Sequence, residues 1–249
     1  MKEKILRTIY SAFEQWSASI PMACIKGCST CCTGNVTITA LEGERILDFI
    51  LDEGLEDWFA RHLAADMAAP APQWTTNEYA GLCLQGIEVS DPVIPVLPVS
   101  CPFLENACCR IYLVRPFGCR CFASEKPCTP GEAALLPGYY VSAVTAIMQI
   151  VEHLGQNEYW GNMTDILLSL CDISRYTSIA DRLNNPAMIM QARLRTRKAL
   201  PLPGLLLLEE EHRKIAPLLS TILVSRIDGH SIDDILNGRA SALPLFNGE

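Results

Sequence analysis

Apolar residues recur along most of this chain with the period of a helix. Ile5, Ile9, Phe13 and Trp16 fall at i, i+4, i+8 and i+11, one stripe of a first helix that must stop before Pro21. Val36-Thr37-Ile38 interrupts the rhythm with a short β-branched piece that reads as extended. Thr39 followed by Glu42 is a capping-box signature. The helix it opens directs Ile46, Phe49 and Ile50 inward, with a continuation through Trp58, Phe59 and Leu63. Ala68 to Thr76, holding Pro70 and Pro72, reads as a loop. Across residues 80–100, Pro92, Pro95 and Pro98 stand among valines, a spacing that predicts an extended segment rather than a helix or central strand.

After Pro127 the helical pattern returns. Thr129-Pro130 with Glu132 marks a helix start, with proline at the first helical position. Tyr140, Val144, Ile147, Val151 and Leu154 form an amphipathic stripe that Gly155 is placed to end. Further helices are expected around Trp160, Met163, Leu167 and Leu170, and around Ile215, Leu218, Leu219, Ile222 and Leu223, with a break at Pro201-Leu202-Pro203-Gly204. The expected fold class is mostly α, with little β and with cysteine-rich loops wrapped around a metal centre. Residues 1–128 would form a cysteine-rich metal-binding half and residues 129–249 a helical half packed on it, as two units or one continuous domain.

Composition narrows the function classes. A chain of 27.5 kDa with 49% apolar residues can bury a core without staples. Net charge of −8 and a pI near 5.1 argue against nucleic acid or an anionic membrane as partner. No stretch approaches the ~18 consecutive apolar residues of a membrane span. The opening MKEKILRTIYSAFEQW lacks the apolar core of a secretory signal, so the expected location is cytoplasmic.

Cysteine is where the chemistry lies. Eleven of twelve cysteines precede residue 129: Cys24, Cys28, Cys31 and Cys32 in a first run, Cys101, Cys108, Cys109, Cys119, Cys121 and Cys128 in a second, and Cys83 between them. Such gathered thiolates serve zinc, iron–sulfur clusters or disulfides, and a reducing cytoplasm disfavours the last. The first run puts four sulfurs within nine residues, with Gly27 and Gly34 allowing tight turns. Adjacent cysteines at 31–32 and 108–109 should point to opposite faces of an extended chain, so one member of each pair is free for another role. None of the four histidines is near either run in sequence, which favours all-sulfur ligation. Arg115 and Arg120 are candidates to offset thiolate charge. Tyr112 and Cys171 read as core residues.

The first run, with Cys101-Pro102-Phe103-Leu104, Cys109, Ile111-Tyr112, Arg115-Pro116 and Cys119-Arg120 in the second, resembles the CxxCxxCC-type cysteine-cluster family, described as a zinc- or iron-chelating domain. The resemblance spans Cys24 to Arg120. It implies metal chelation, and because some family members are named flagellin lysine N-methylases, it also implies a protein-lysine N-methylase-like enzyme as an alternative. Cys83, Cys108, Cys121, Cys128 and Cys171 lie outside the pattern. Cys24-x3-Cys28-x2-Cys31 has in addition the spacing of radical S-adenosylmethionine enzymes, although Thr30 stands where those usually place an aromatic. No glycine-rich nucleotide loop is visible.

The sequence thus points to a cysteine-ligated centre, a 4Fe-4S cluster in preference to zinc, with Cys24, Cys28, Cys31, Cys32, Cys101, Cys109 and Cys119 as metal ligands on a shared site. The preference for iron rests on the surplus of thiols and on Cys101-Pro102, since cysteine followed by proline also closes the ferredoxin motif. S-adenosylmethionine is a further cofactor candidate, a structural-zinc interaction module a further alternative, and a protein partner or substrate is compatible with either.

Overall fold

A computed structural model gives the fold of residues 1–25, 27–63, 70–89, 100–129 and 132–239. Of these described residues 54% are helical and 9% lie in strands, so the chain is mostly α with small sheets. The first half runs α1 (Lys2–Ser17), β1 (Thr37–Thr39), α2 (Ala40–Asp52), α3 (Glu56–Leu63), α4 (Thr76–Leu84), β2 (Leu104–Glu105), β3 (Cys108–Cys109) and α5 (Phe117–Arg120). It continues with α6 (Gly138–Leu154), β4 (Tyr159–Asn162), α7 (Met163–Leu170), α8 (Thr177–Leu183), α9 (Pro186–Leu194) and β5 (Arg197–Lys198). The order closes on α10 (Glu209–Val224), β6 (Arg226–Ile227), β7 (His230–Ser231) and α11 (Ile232–Leu236). No helix among the described residues is long and apolar enough to cross a membrane.

Helix α1 forms where its stripe predicts, with Ile5, Ile9 and Phe13 buried, and it ends ahead of Pro21. Thr39 ends β1 and caps α2 in the same residue. Its hydroxyl accepts the Glu42 N–H at 3.3 Å while Glu42 Oε2 accepts the Thr39 N–H at 2.9 Å. Trp58, Phe59 and Leu63 belong to the separate helix α3 rather than to a continuation of α2. The chain turns between them, the Leu55 N–H reaching back to the Ile50 carbonyl at 2.8 Å.

Three other expectations change. Residues 80–84, read as extended, complete α4, which a second capping box of Thr75 and Glu78 starts. Helix α6 begins at Gly138 behind Pro137, and residues 132–137 are irregular rather than its first turns. Trp160 lies in β4, not in a helix. It pairs with Thr39 in an antiparallel sheet ordered β1-β4-β5, and Tyr159 pairs with Lys198. Pro92, Pro95, Pro98 and Pro130 lie outside the described residues.

Two apolar clusters fill the interior. One packs α1 against α6, α10 and α11 and includes Phe117 and Cys121. The other packs β1, α2 and α3 against α7, α8 and α9 and includes Phe103 and Ile111. Each takes residues from both sides of residue 128. Helices α2 and α7 meet at Gly43, where a Cβ would come within 2.7 Å of Leu170 Cδ1 and 2.9 Å of Ile166 Cγ2. Only a bare glycine permits that approach. The second cysteine run is anchored in both clusters, by Phe103 and Ile111 in one and Phe117 in the other.

Candidate metal centre

The two cysteine runs meet backbone to backbone. The Cys101 N–H donates to the Cys32 carbonyl at 3.0 Å, and Thr33 bridges Ser100 in antiparallel fashion. The first run is folded by successive turns, closed by the Cys28 N–H on the Ile25 carbonyl at 3.0 Å and the Cys32 N–H on the Ser29 carbonyl at 2.9 Å. Gly27, at φ +91, supplies the left-handed residue of the first turn.

In the second run, β2 and β3 form a hairpin through Asn106 and Ala107, both at positive φ, as a two-residue hairpin turn requires. The register sets Cys108 opposite Glu105 and Cys109 opposite Leu104. Neighbouring strand residues face opposite ways, and Cys108 is exposed while Cys109 packs partly buried against the second cluster. Cys119 sits in α5. Its N–H bonds the Pro116 carbonyl at 3.0 Å, and the start of that short helix is held by the Phe117 N–H on Glu42 Oε1 at 2.8 Å.

Burial and charge shift the thiols unequally. The Cys119 thiol is pushed well up by burial, then by repulsion from Cys101 and Cys109. Burial raises Cys101 to about 11, with Cys109 adding to it. Cys32 is lowered by the neighbouring Cys31 thiol, an effect that outweighs desolvation and the charges of Cys101, Cys119 and Cys109. Cys31 is raised correspondingly. Cys32, Cys101, Cys109 and Cys119 thus influence one another's titration across the two runs.

Cys24 has other neighbours. Burial raises its thiol, a bond with the Ser124 backbone lowers it, and Cys128, Cys28 and Cys31 repel it. The backbones of the two runs lie side by side at Cys32 and Cys101. Among the described residues, no group of three or more histidine, cysteine, aspartate or glutamate side chains is already arranged to hold a metal ion. The thiols do not form a closed ligand set.

Surrounding groups sort by contact. Arg115 lowers both Cys31 and Cys109, with its guanidinium 4.0 Å from the Tyr112 ring centroid. Arg120 is engaged instead by the Arg115 carbonyl at 2.8 Å, the Leu113 carbonyl at 3.1 Å and the Glu14 carboxylate. Tyr112 is 56% exposed, so the core reading fails for it; stacking on Arg115 holds it at the surface. Cys171 is a core residue, its thiol pushed up to about 12 by burial. Cys121 is also buried, donating its S–H to the Gly118 carbonyl at 3.2 Å. His62, remote from the second run in sequence, lies 3.3 Å from Glu105 on the hairpin.

A cavity of about 10 Å³, room for roughly one water molecule, is lined by Thr39, Glu42, Phe117 and Trp160. An open hollow of about 630 Å³ lies on α10 beside His212 and Pro217. No family model, no curated protein and no solved structure matches this chain. The cysteine-cluster resemblance therefore rests on the two motifs themselves.

Proposed function

We propose that the protein binds a metal centre through the thiolates of Cys32, Cys101, Cys109 and Cys119, with an iron–sulfur cluster favoured over zinc. One observation supports the reading: widely separated cysteine runs are joined by the 3.0 Å bond from the Cys101 N–H to the Cys32 carbonyl, beside the Thr33–Ser100 bridge. An all-sulfur donor set is what iron–sulfur clusters and zinc select. Thiol surplus and Cys101-Pro102 favour iron. When bound, a cluster supplies electron-transfer capacity or a structural tie between the loops.

The chain's own residues do the holding. Glu42 fixes the turn bearing Cys119, the hairpin register turns Cys109 inward, and Arg115 offsets thiolate charge. All cysteines are free, which suits a reducing compartment such as the cytoplasm. A zinc ion on the same four thiols is the alternative. The lysine-methylase reading has only the motifs behind it.

Anaerobic purification should yield brown protein with broad absorbance near ~400 nm and stoichiometric iron and sulfide, lost in Cys32→Ser and Cys119→Ser. Colourless protein with zinc selects the alternative, and protein with neither metal refutes the reading. Heat on titration with S-adenosylmethionine would revive the enzyme reading.

A further inference from the structure

Between β5 and α10 the chain runs as an irregular strap, residues 199–208, whose backbone is bonded by side chains of α6 and α4. The Leu200 N–H donates to Glu152 Oε1 at 2.8 Å, and the Leu200 carbonyl accepts Asn77 Nδ2 at 2.9 Å. The Leu206 N–H donates to Gln149 Oε1 at 2.9 Å, and Gln149 Nε2 donates to the Gly204 carbonyl at 2.8 Å. Between these fixed points the Leu202 N–H donates to Nδ1 of His153 at 3.1 Å. Pro201 and Pro203, which have no N–H to satisfy, are exposed. The other ring nitrogen of His153 lies 2.8 Å from the Leu236 carbonyl at the end of α11. A carbonyl only accepts and a backbone N–H only donates, so the two bonds require a bare Nδ1 and a hydrogen on Nε2. One neutral tautomer alone meets both. A second proton would land on the nitrogen that accepts Leu202.

We propose that residues 199–208 form an acid-released strap and that His153 is its clasp. Closed, the strap engages Gln149 and Glu152, both fully buried, and packs Leu205 and Leu207 on the first apolar cluster. His153 is half-buried, within reach of protons from solvent. Protonation at Nδ1 sets a donor against the donor of Leu202, so the bond is lost and the middle of the strap parts from α6. One proton taken from solvent is the whole chemistry. The strap itself carries no ionisable side chain. On the elements packed around it, Glu152 of α6 is held by Asn77 and Leu200, and Glu78 of α4 pairs with Arg197 at 2.9 Å. Asp233 and Asp234 of α11 take the Asn237 amide and the Ser231 hydroxyl. Glu211 of α10 takes the Ser142 hydroxyl, and Lys2 of α1 pairs with Glu158 at 2.7 Å. These charges keep their partners whichever form His153 takes, whereas the charged imidazole loses one of its own.

Hydrogen–deuterium exchange of the full-length protein between pH ~8 and ~5, corrected for the intrinsic pH dependence of exchange, tests the clasp. Exchange across residues 199–208 should rise about tenfold on acidification, the order expected when one buried bond is lost, while α6 and α7 keep their protection. In His153→Asn, whose side-chain oxygen falls where Nδ1 lies, the strap should stay protected over the whole range. In His153→Gln, whose amide reaches the Nε2 position instead, the strap should exchange fast at every pH. Glu152→Gln should keep the acid step, because Leu202 is bound to His153 and not to Glu152. Nitrogen NMR of the wild-type imidazole at the alkaline end should place the hydrogen on Nε2. A wild-type strap that stays protected in acid, a hydrogen on Nδ1, or protection lost throughout the chain in step with the strap overturns the proposal, and these measurements need no variant. An acid step that survives in His153→Asn or vanishes in Glu152→Gln overturns it as well, as does slow exchange in His153→Gln.

Discussion

Glu42 Oε1 accepts the backbone N–H of Phe117 at 2.8 Å, so the residue that closes the cap of α2 also holds the turn carrying Cys119. The same oxygen accepts the Tyr10 hydroxyl at 2.6 Å, and Oε2 accepts the Thr39 N–H and hydroxyl at 2.9 and 3.1 Å. One buried carboxylate thus joins α1, the β1–α2 junction and α5. Tyr10 is accordingly held protonated, its pKa raised by burial and by the adjacent Glu42 charge.

Glu42→Gln keeps the volume but turns an NH2 towards donors that need an acceptor. Loss of charge-assisted bonds to buried N–H and O–H groups should cost about 2–3 kcal/mol of stability, measured by urea unfolding. Glu78→Gln at the more exposed second cap should cost about 1 kcal/mol or less. Equal effects at both caps would contradict the tie to Phe117.

The hairpin register makes Cys108 and Cys109 unequal. On the proposed metal centre, Cys109→Ser should reduce bound metal strongly and Cys108→Ser should leave it near the wild-type level, as read by metal analysis per chain. The opposite ranking would mean that the β2–β3 pairing is shifted by one residue.

Gly43→Ala places a methyl group against Leu170 and Ile166 at distances that force one helix to move. The expected loss is about 1–3 kcal/mol, the range for overpacking a tight core. Gly81→Ala, whose Cβ would meet only Pro203 at an ordinary contact distance of 3.7 Å, should be neutral or mildly stabilising. Thermal unfolding of the pair checks the contrast.

Glu152 is fully buried and accepts the Asn77 N–H at 2.7 Å and the Leu200 N–H at 2.8 Å, yet burial still raises its pKa. The folded chain therefore holds this proton more tightly than the unfolded chain. The stabilising contribution is complete below the unfolded value of about 4.3 and is lost as pH rises through the folded one. Glu152→Gln removes this titration, so the stability of the variant relative to wild type should increase between acid and neutral pH. Parallel urea-unfolding curves across that window would contradict the shift.

Local signals were legible from the residues. Thr39 with Glu42 marked a cap, and the stripe of α1 marked its buried face, because both depend on neighbours within a turn or two. Thr75 with Glu78 carries the same signal, but it lies among prolines that pointed to extended chain. Trp160 was misread because β4 owes its form to partners far away in sequence, Thr39 and Arg197. Convergence of the cysteine runs could be anticipated from their number. The backbone bonds that join the loops could not, since these set Ala23 against Ser124 and Cys101 against Cys32, partners far apart in sequence. Asn106 in the turn was the one local clue that would have separated Cys109 from Cys108.

Because Thr39 is both the last residue of β1 and the cap of α2, the junction has no slack. A single residue inserted or deleted between Val36 and Ala40 would swing α2 by about 100° and reverse the faces of the strand. Glu42 would leave the α5 turn, Gly43 would rotate away from Leu170, and core and thiol loop would come apart in one event. Changes of chain length are thus barred from this joint, while substitutions that preserve spacing remain open to it.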